Sequence, residues 1–313
     1  MGPIDMLTFF TTAKPFSGHN RVIQRNALRS WKLVHPDLEV ILFGDEDGAA
    51  EVSLELGLRH EAHVERNEFG NKRLDYMFDR AQEISRHPVL CYVNCDILLL
   101  DDFVPAIRRV MAAKRKFLMV GCRWDVDITE NLDFSSVGWA SEVARRAKAA
   151  NQQRDVWWID YFAFSRGLYY KKIPPLVIGR IYWDNWLVWR AKKDGSMVVN
   201  ASEAICAVHQ NHDYGYHPQG KSGVWTDEIS RRNLELAGGF SCLRTIENAN
   251  YRLTSTSLKW DWMGLLLATK LGRAFWNLAV RDTLWLRSRL GLRKEVLRRV
   301  ANRFGPKAER EQR

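Results

Sequence analysis

The chain has 313 residues, of which 46% are hydrophobic and 12% aromatic, a composition that excludes a disordered or low-complexity protein. It carries 47 Lys and Arg against 37 Asp and Glu, a net charge of +10. That excess is confined to residues 252–313, with 15 basic and 5 acidic side chains against 32 of each in residues 1–251, which argues against a nucleic-acid-binding body.

MLTFF, from Met6 to Phe10, reads as a first buried strand, followed by the polar loop TTAKPFSG. NRVIQRNALRSWKLV then places Val22, Ile23, Ala27, Trp31 and Val34 at helical spacing. LEVILFG is a second strand, and the acidic DEDG follows it. GNKRLDYMFDRAQEIS is expected to be helical, VLCYVNCD a strand, PAIRRVMAAKRK a helix and FLMVG a strand. The stretch from Asp125 to Gln153 reads as a polar loop, or a mobile flap, with one short amphipathic helix. Next come a strand in WWIDYFAF, a helix in WDNWLVWRAKK, and two short strands leading into the His-rich HQNHDYGYHP. Strands alternating with helices through short loops predict an α/β domain with a mainly parallel central sheet flanked by helices. Ligands of such sheets bind at the carboxyl ends of the strands.

The five cysteines are odd in number, lie in or beside apolar stretches and form no C-x-x-C pair, which predicts reduced thiols and a cytoplasmic chain. Asp5 interrupts the apolar start, so no secretory signal is expected, and no run approaches the roughly 18 apolar residues that cross a bilayer. A catalytic domain is expected over 1–251. Residues 252–313 read as a basic amphipathic helical extension, rich in Leu, Trp and Phe between Arg and Lys. Such a segment either lies on an anionic membrane surface or caps the domain.

One residue is out of place. Asp96 interrupts the apolar run YVNCDILLL, and an unpaired carboxylate inside a core costs several kcal/mol, by roughly the Born argument. It therefore has a partner, or it stands at a strand end facing a crevice.

Six segments, LTFFTTAKPF, VILFGDEDG, YVNCDILLLDDF, WWIDYFAFSRG, GRIYWDNWLVWRA and AVHQNHDYGYH, occur in this order between Met6 and Lys221. Together they resemble the GT-A fold of nucleotide-sugar-dependent glycosyltransferases, of the family 2 kind. The resemblance implies that Asp96 holds a divalent cation, Mn²⁺ or Mg²⁺, on the donor diphosphate. Asn94 stands in for the first Asp of the family's D-x-D signature. As an amide it is expected to hydrogen-bond a ribose or a metal water. Otherwise Asp96 is a turn acid, beside Asp101 and Asp102. The resemblance also implies a C-terminal His in the metal shell, His209 or its rival His212; the alternative is surface histidines. Lys221 either pairs with phosphate or is solvated.

Asp184, near a helix start, is an N-cap or, by the resemblance, the general base of an inverting transfer. Asp160 is the second choice, or else an acceptor ligand or a buried acid paired with an Arg such as Arg180. Trp183 and Trp186 are expected to stack on the acceptor sugar, whereas Trp189 is as readily core. For the nucleotide, the candidates are Thr11, Thr12, Asp45, Asn71, Lys72 and Arg73, the last three read as opening a helix whose free amides suit an anion. Turn chemistry or helix capping is the alternative for each. There is neither a Walker P-loop nor a G-x-G-x-x-G, which excludes the phosphotransferase and dehydrogenase signatures.

The reading as a whole is a cytoplasmic, membrane-peripheral glycosyltransferase. It uses a nucleotide-sugar donor to extend a glycan or lipid-linked saccharide, without nucleic acid. Two rivals are a metal-dependent phosphohydrolase, with a site of His209, His212 and Asp213 that excludes Asp96, and a non-catalytic sugar-nucleotide-binding module, for which Asn94 is the motive.

Overall fold

β1 (Leu7–Thr12) is almost wholly buried inside a nine-stranded sheet in the computed structural model, which describes residues 7–213 and 224–261. It is followed by α1 (Gly18–Val34), β2 (Glu39–Phe43), α2 (Ala49–Leu56), β3 (Arg59–Glu61), α3 (Leu74–Ile84) and β4 (Val89–Val93). After the two-residue β5 (Ile97–Leu98) come α4 (Phe103–Ala113), β6 (Phe117–Val120), β7 (Arg123–Val126), α5 (Trp139–Ala150) and β8 (Tyr161–Ser165). Next are α6 (Trp183–Lys193), β9 (Met197–Asn200), β10 (Ala207–Gln210), a helix over Glu228–Leu236, β11 (Tyr251–Leu253) and β12 (Leu258–Trp260).

The large sheet has the order β12-β11-β9-β6-β8-β4-β1-β2-β3. β1 is parallel to β2 and β4, β2 to β3, and β9 to β6 and β11. β8 runs against both its neighbours, and β12 runs against β11. This is the mainly parallel α/β sheet flanked by helices that the alternation of elements implies.

A strand covered on both faces needs an unbroken apolar run, and β4 shows how that run is used. Val89, Cys91 and Val93 join one core cluster with Phe9 and Trp31, while Leu90 and Tyr92 join the other with Phe10, Phe78 and Phe164. Trp31 is fully buried in α1, and its indole N–H donates to the Ile97 carbonyl at 2.8 Å. The Leu99 amide donates to Ser30 Oγ at 3.3 Å. α1 therefore pins the segment in which Asp96 sits.

A second sheet has three strands in the order β5-β10-β7. β10 is antiparallel to β5 and parallel to β7, which sets His209 opposite both Ile97 and Asp125. β7 lies partly in the stretch expected to be a polar loop. Its i, i+2 pair Arg123 and Asp125 are both buried, so the polar residues there mark an internal ion pair rather than a surface.

Three further departures bear on function. α3 begins at Leu74, after Asn71, Lys72 and Arg73 rather than at them. Lys72 and Arg73 instead bridge Arg66 and Val177, and the Arg73 and Leu74 amides donate to the Glu65 and Leu176 carbonyls, each at 2.8 Å. Those amides are thus not open to an anion. The large sheet also continues through Trp260, past the boundary expected at 251, so residues 252–260 contribute strand rather than helix. Residues 262–313 and Lys221 lie outside the described residues. None of the five cysteines is in a disulfide, and no helix among the described residues is long and apolar enough to cross a membrane.

Candidate functional site

Asp96 follows β4 and precedes β5, and the small sheet brings β10 against it. His212 Nε2 lies 3.1 Å from Asp96 Oδ2 and His209 Nε2 lies 3.8 Å from it. One ligand atom from each of Asp96, His209 and His212 falls within 4.8 Å of the others. The opposite ring nitrogens meet oxygen. His209 Nδ1 is 3.3 Å from Asp125 Oδ1, and His212 Nδ1 is 2.7 Å from the Asp213 carbonyl. The carbonyl acceptor at His212 Nδ1 holds the proton there and leaves that ring's Nε2 lone pair for a cation, whereas His209 Nδ1 lies beside Asp125 without a hydrogen bond to it. Asp96 Oδ1 is buried with no hydrogen-bond partner. A carboxylate with one oxygen, Oδ2, beside two imidazole Nε2 atoms and the other, Oδ1, buried without a hydrogen-bond partner fits a bound cation. Two imidazoles and one carboxylate suit Mn²⁺ better than the harder Mg²⁺.

Electrostatics keep the centre ionised. Burial works against the Asp96 carboxylate, but His209, His212 and the Lys14 ammonium outweigh it and hold the group well below the usual range. Asp125 is held down in the same way, against burial, by His209, Arg123 and Arg154. Lys14, in the loop after β1, has its own ammonium destabilised by burial and supported by Asp96 and Asp213. The Asp96 backbone is fixed from behind: its carbonyl accepts from the Gln210 amide at 3.1 Å and from Gln210 Nε2 at 3.2 Å. Gln210 Oε1 in turn accepts from Asn26 Nδ2 on α1 at 3.0 Å, and both amides are buried. Each such bond contributes about 1 kcal/mol, enough together to hold the turn.

Arg123 connects this centre to the next carboxylate. Its Nη1 donates to both Asp160 oxygens at 2.8 Å and its Nε to Asp125 at 3.0 Å. Asn94 Nδ2 donates to Asp160 Oδ1 at 2.6 Å. Asn94 therefore orients Asp160, and the expected partner Arg180 instead pairs with Asp227 at 2.5 Å. Two donors, the Arg123 guanidinium and the Asn94 amide, make three hydrogen bonds to the Asp160 carboxylate, which places it in a buried network.

Asp184 sits in the first turn of α6. A helix start favours an ionised carboxylate, yet here burial wins. With the Asn185 amide opposing and Asp160 adding repulsion, the carboxyl is pushed up to about 7. Its Oδ1 is buried and has no hydrogen-bond partner. The residue before the helix, Tyr182, has φ of 84°. Such a left-handed conformation costs a non-glycine residue on the order of 1–3 kcal/mol and is tolerated where the surroundings over-determine it.

The remaining candidates are placed less openly than the sequence implies. Thr11 is buried, its hydroxyl donating to the Thr12 carbonyl at 3.3 Å. Lys72 is buried: it donates to Thr12 Oγ1 and, at 3.1 Å, to the Ala13 carbonyl, and pairs with Glu46 at 2.5 Å. Gly44 makes that packing possible, since a Cβ there would meet Glu46 Oε2 at 2.3 Å and Lys72 Nζ at 2.9 Å. Asp45 pairs with Arg66 at 2.9 Å, and Arg73 pairs with Glu65 at 2.6 Å and with Asp75. The Asn71 amide donates to Asn67 Oδ1 at 2.8 Å. Trp183 and Trp186 are buried in the core with Tyr92, Phe162 and Trp189, so neither ring has a face for a sugar. Lys14, Arg123 and Asp125 were not singled out from sequence. The alternation in RWDV was the available signal for the last two.

Fold and site together define an α/β protein in which Asp96, His209 and His212 are grouped, at the strand-end edge of the sheets, closely enough to hold a cation. No protein-family model and no curated protein matches the chain. Among solved structures it is similar to glucosyl-3-phosphoglycerate synthase from Mycobacterium tuberculosis in complex with Mg²⁺ and UDP, at 14% identity and a TM-score of 0.44 over 75% of this chain and 80% of that one. It is also similar to S. aureus TarS 1-349 in complex with UDP-GlcNAc, at 10% identity and a TM-score of 0.46 over 74% and 64%.

Proposed function

We propose that the protein is a divalent-cation-assisted glycosyltransferase that moves a sugar from a nucleoside diphosphate donor to a saccharide acceptor. The observation that carries this reading is the Asp96, His209 and His212 cluster, whose two Nε2 atoms converge on Asp96 Oδ2 just past the end of β4. A cation bound there, Mn²⁺ in preference to Mg²⁺, supplies the charge that offsets a leaving diphosphate. Lys14 adds a second positive group beside it, the Asp213 carbonyl holds the His212 imidazole in the liganding tautomer, and Asp125 stands beside His209. The ordered sequence pieces shared with nucleotide-sugar enzymes supply the donor class.

Asp184 is the general base of this reading. A carboxyl with its pKa near 7 is half ionised at neutral pH, and general-base efficiency is greatest when pKa and working pH coincide. It accepts the acceptor hydroxyl's proton as that oxygen attacks the anomeric carbon and the nucleoside diphosphate departs, inverting the configuration. Asp160, tied to Arg123 and Asn94, adds to the field that raises Asp184. Surface polysaccharide or lipid-linked saccharide is the acceptor class we favour, with the basic C-terminal segment holding the enzyme at an anionic membrane. A phosphohydrolase confined to His209, His212 and Asp213 is disfavoured because His212 Nε2 addresses Asp96 instead.

The test is calorimetric titration with UDP, GDP and ADP, with and without Mn²⁺. Metal-dependent binding of one nucleotide, followed by transfer from the matching nucleotide sugar with inversion seen by NMR, is expected. Binding without a metal requirement would overturn the role of the cluster.

A further inference from the structure

The outer surface of α4 carries positive charge that nothing nearby in the chain offsets. Between Phe103 and Trp124 the exposed or half-exposed charged side chains are Arg108, Arg109, Lys114, Arg115 and Lys116, and there is no acid. Surface cations elsewhere meet carboxylates, as Arg25 meets Glu55 and Arg145 meets Glu142. Among the described residues, the side chains of Arg108, Lys114 and Arg115 enter no hydrogen bond or ion pair. Arg109 and Lys116 donate to carbonyls, those of Ser255 and, at 2.7 Å, Asp194. The Asp194 carboxylate is itself taken up by Lys172 and Arg190, at 2.9 and 3.2 Å. A cation at a helix C-terminus complements the dipole, which accounts for Lys114 but not for Arg108 in the second turn.

The same side of the large sheet presents an aromatic side chain. Tyr251 and Leu258 pack on the core cluster to which α4 contributes Ile107 and Val110. Trp260 lies two residues beyond Leu258 on β12 and so shares its face. It pairs in register with Tyr251, the two rings lie 4.9 Å apart, and it is 53% exposed. β12 is the edge strand, three strands from β6, about 14 Å at the usual strand spacing. Arg109 spans part of that interval by holding the β11–β12 turn at Ser255. Residues 114–116 lead directly into β6, and β12 runs opposite to β11, β9 and β6. The basic end of α4 and the end of β12 at Trp260 therefore lie toward one edge of the sheet.

We infer that the outer face of α4, with Trp260 beside it, is a docking surface for an anionic lipid bilayer. Residues 262–313 carry 13 basic and 4 acidic side chains, so like charge disfavours both that segment and a second copy of the same face as the occupant. A bilayer with anionic headgroups suits both features. Each Lys or Arg near its surface strengthens binding roughly fivefold, and its interfacial zone takes an indole ring. Nucleic acid is the less fitting polyanion, because a helix face has no groove to track a strand. The inference deepens the membrane part of the proposed function by assigning a lipid contact to the folded domain, and it does not depend on the donor chemistry.

The experiment sediments the full chain with vesicles of phosphatidylcholine, alone or mixed equally with phosphatidylglycerol. Wild type should bind the anionic vesicles and not the neutral ones. Combining Arg108→Ala, Lys114→Ala and Arg115→Ala should lower the partition by about 30-fold or more, as expected for three near-surface charges. Trp260→Ala should lower it by a smaller factor. A control that removes the same charge from other elements, with Arg145→Ala, Lys171→Ala and Arg231→Ala, should stay within about threefold of wild type. Arg115→Ala alone should lose about fivefold and carries the test if the α4 triple variant misfolds by circular dichroism. Equal partition by wild type and the α4 variants would leave the contact to residues 262–313 alone and overturn the inference. So would an equal loss in the control, no binding by wild type, or an α4-dependent gel shift of an oligonucleotide without vesicle binding. Failure of the nucleotide titration removes the transferase reading and leaves this contact standing, whereas failure of the sedimentation leaves the donor site untouched.

Discussion

Replacing Asp184 with Asn should stabilise the protein at alkaline pH while stopping turnover. In the folded chain the Asp184 carboxyl is raised from 3.8 to about 7, chiefly by burial. Between about pH 4 and pH 7 the folded state therefore retains a proton that the unfolded state releases, so stability falls as pH climbs through that window. A gap of about 3 pH units corresponds to roughly 4 kcal/mol at its ceiling. Asn is nearly isosteric and carries no charge, so the variant lacks this slope. A buried amide N–H facing the partnerless Oδ1 position takes back about 1–3 kcal/mol at every pH, which makes the pH difference the quantity to read. Urea unfolding of both proteins at pH 4.5 and pH 8 should show the variant gaining at least about 2 kcal/mol relative to wild type between the two conditions. In parallel, transfer should drop by about 100-fold or more, and wild-type transfer should rise with pH through about 7. An unchanged stability difference at the two pH values would mean that Asp184 is not a buried neutral acid, and its place as base would fall with it.

Asp96→Ala should abolish Mn²⁺-dependent nucleotide binding in calorimetry while leaving the far-ultraviolet circular dichroism intact. His209→Ala should weaken Mn²⁺ binding itself, and Asp125→Asn should do so by about 10- to 100-fold, as measured for groups that orient a metal-bound imidazole; equal Mn²⁺ affinity in Asp125→Asn would detach Asp125 from the centre. Arg123→Leu leaves the buried Asp160 without its cation and Asp125 with Arg154 alone, and should cost about 3–5 kcal/mol in urea unfolding, whereas breaking an exposed pair such as Arg145 with Glu142 should change stability little.

The parts of this molecule visible in its sequence are those whose signal is local. A strand covered on both faces must be apolar throughout, so β4 stands out, and the acid that breaks its continuation marks Asp96. His209 is visible for the same reason, at the end of an apolar strand. What stays hidden depends on partners distant in the chain. Nothing near Lys72 in the sequence says that Glu46, Thr12 and Ala13 will occupy its ammonium. Nothing near Asp160 says that Arg123 rather than Arg180 will reach it. Trp183 and Trp186 belong equally well to a core or a sugar platform on identity alone, and only packing against Tyr92, Phe162 and Trp189 separates the two. α3 opens later than its composition implies because Lys72 and Arg73 find bridge partners in Arg66 and Val177, an outcome set by tertiary structure.

The small sheet β5-β10-β7 has a consequence for how the chain is held closed. Asp96 and His212 are 116 residues apart in sequence, and between them lie β5 to β10 and the α4, α5 and α6 helices. An ion shared by the two would act as a removable cross-link, closing a loop that spans more than a third of the polypeptide. It would stabilise the folded state by about 2.7 kcal/mol at a free concentration of 100 times its dissociation constant. Chelation would then remove that closure and leave the Gln210 bonds to Asn26 and to the Asp96 carbonyl to hold β10 in place. Cellular metal supply would set the lifetime of the folded chain as well as its turnover.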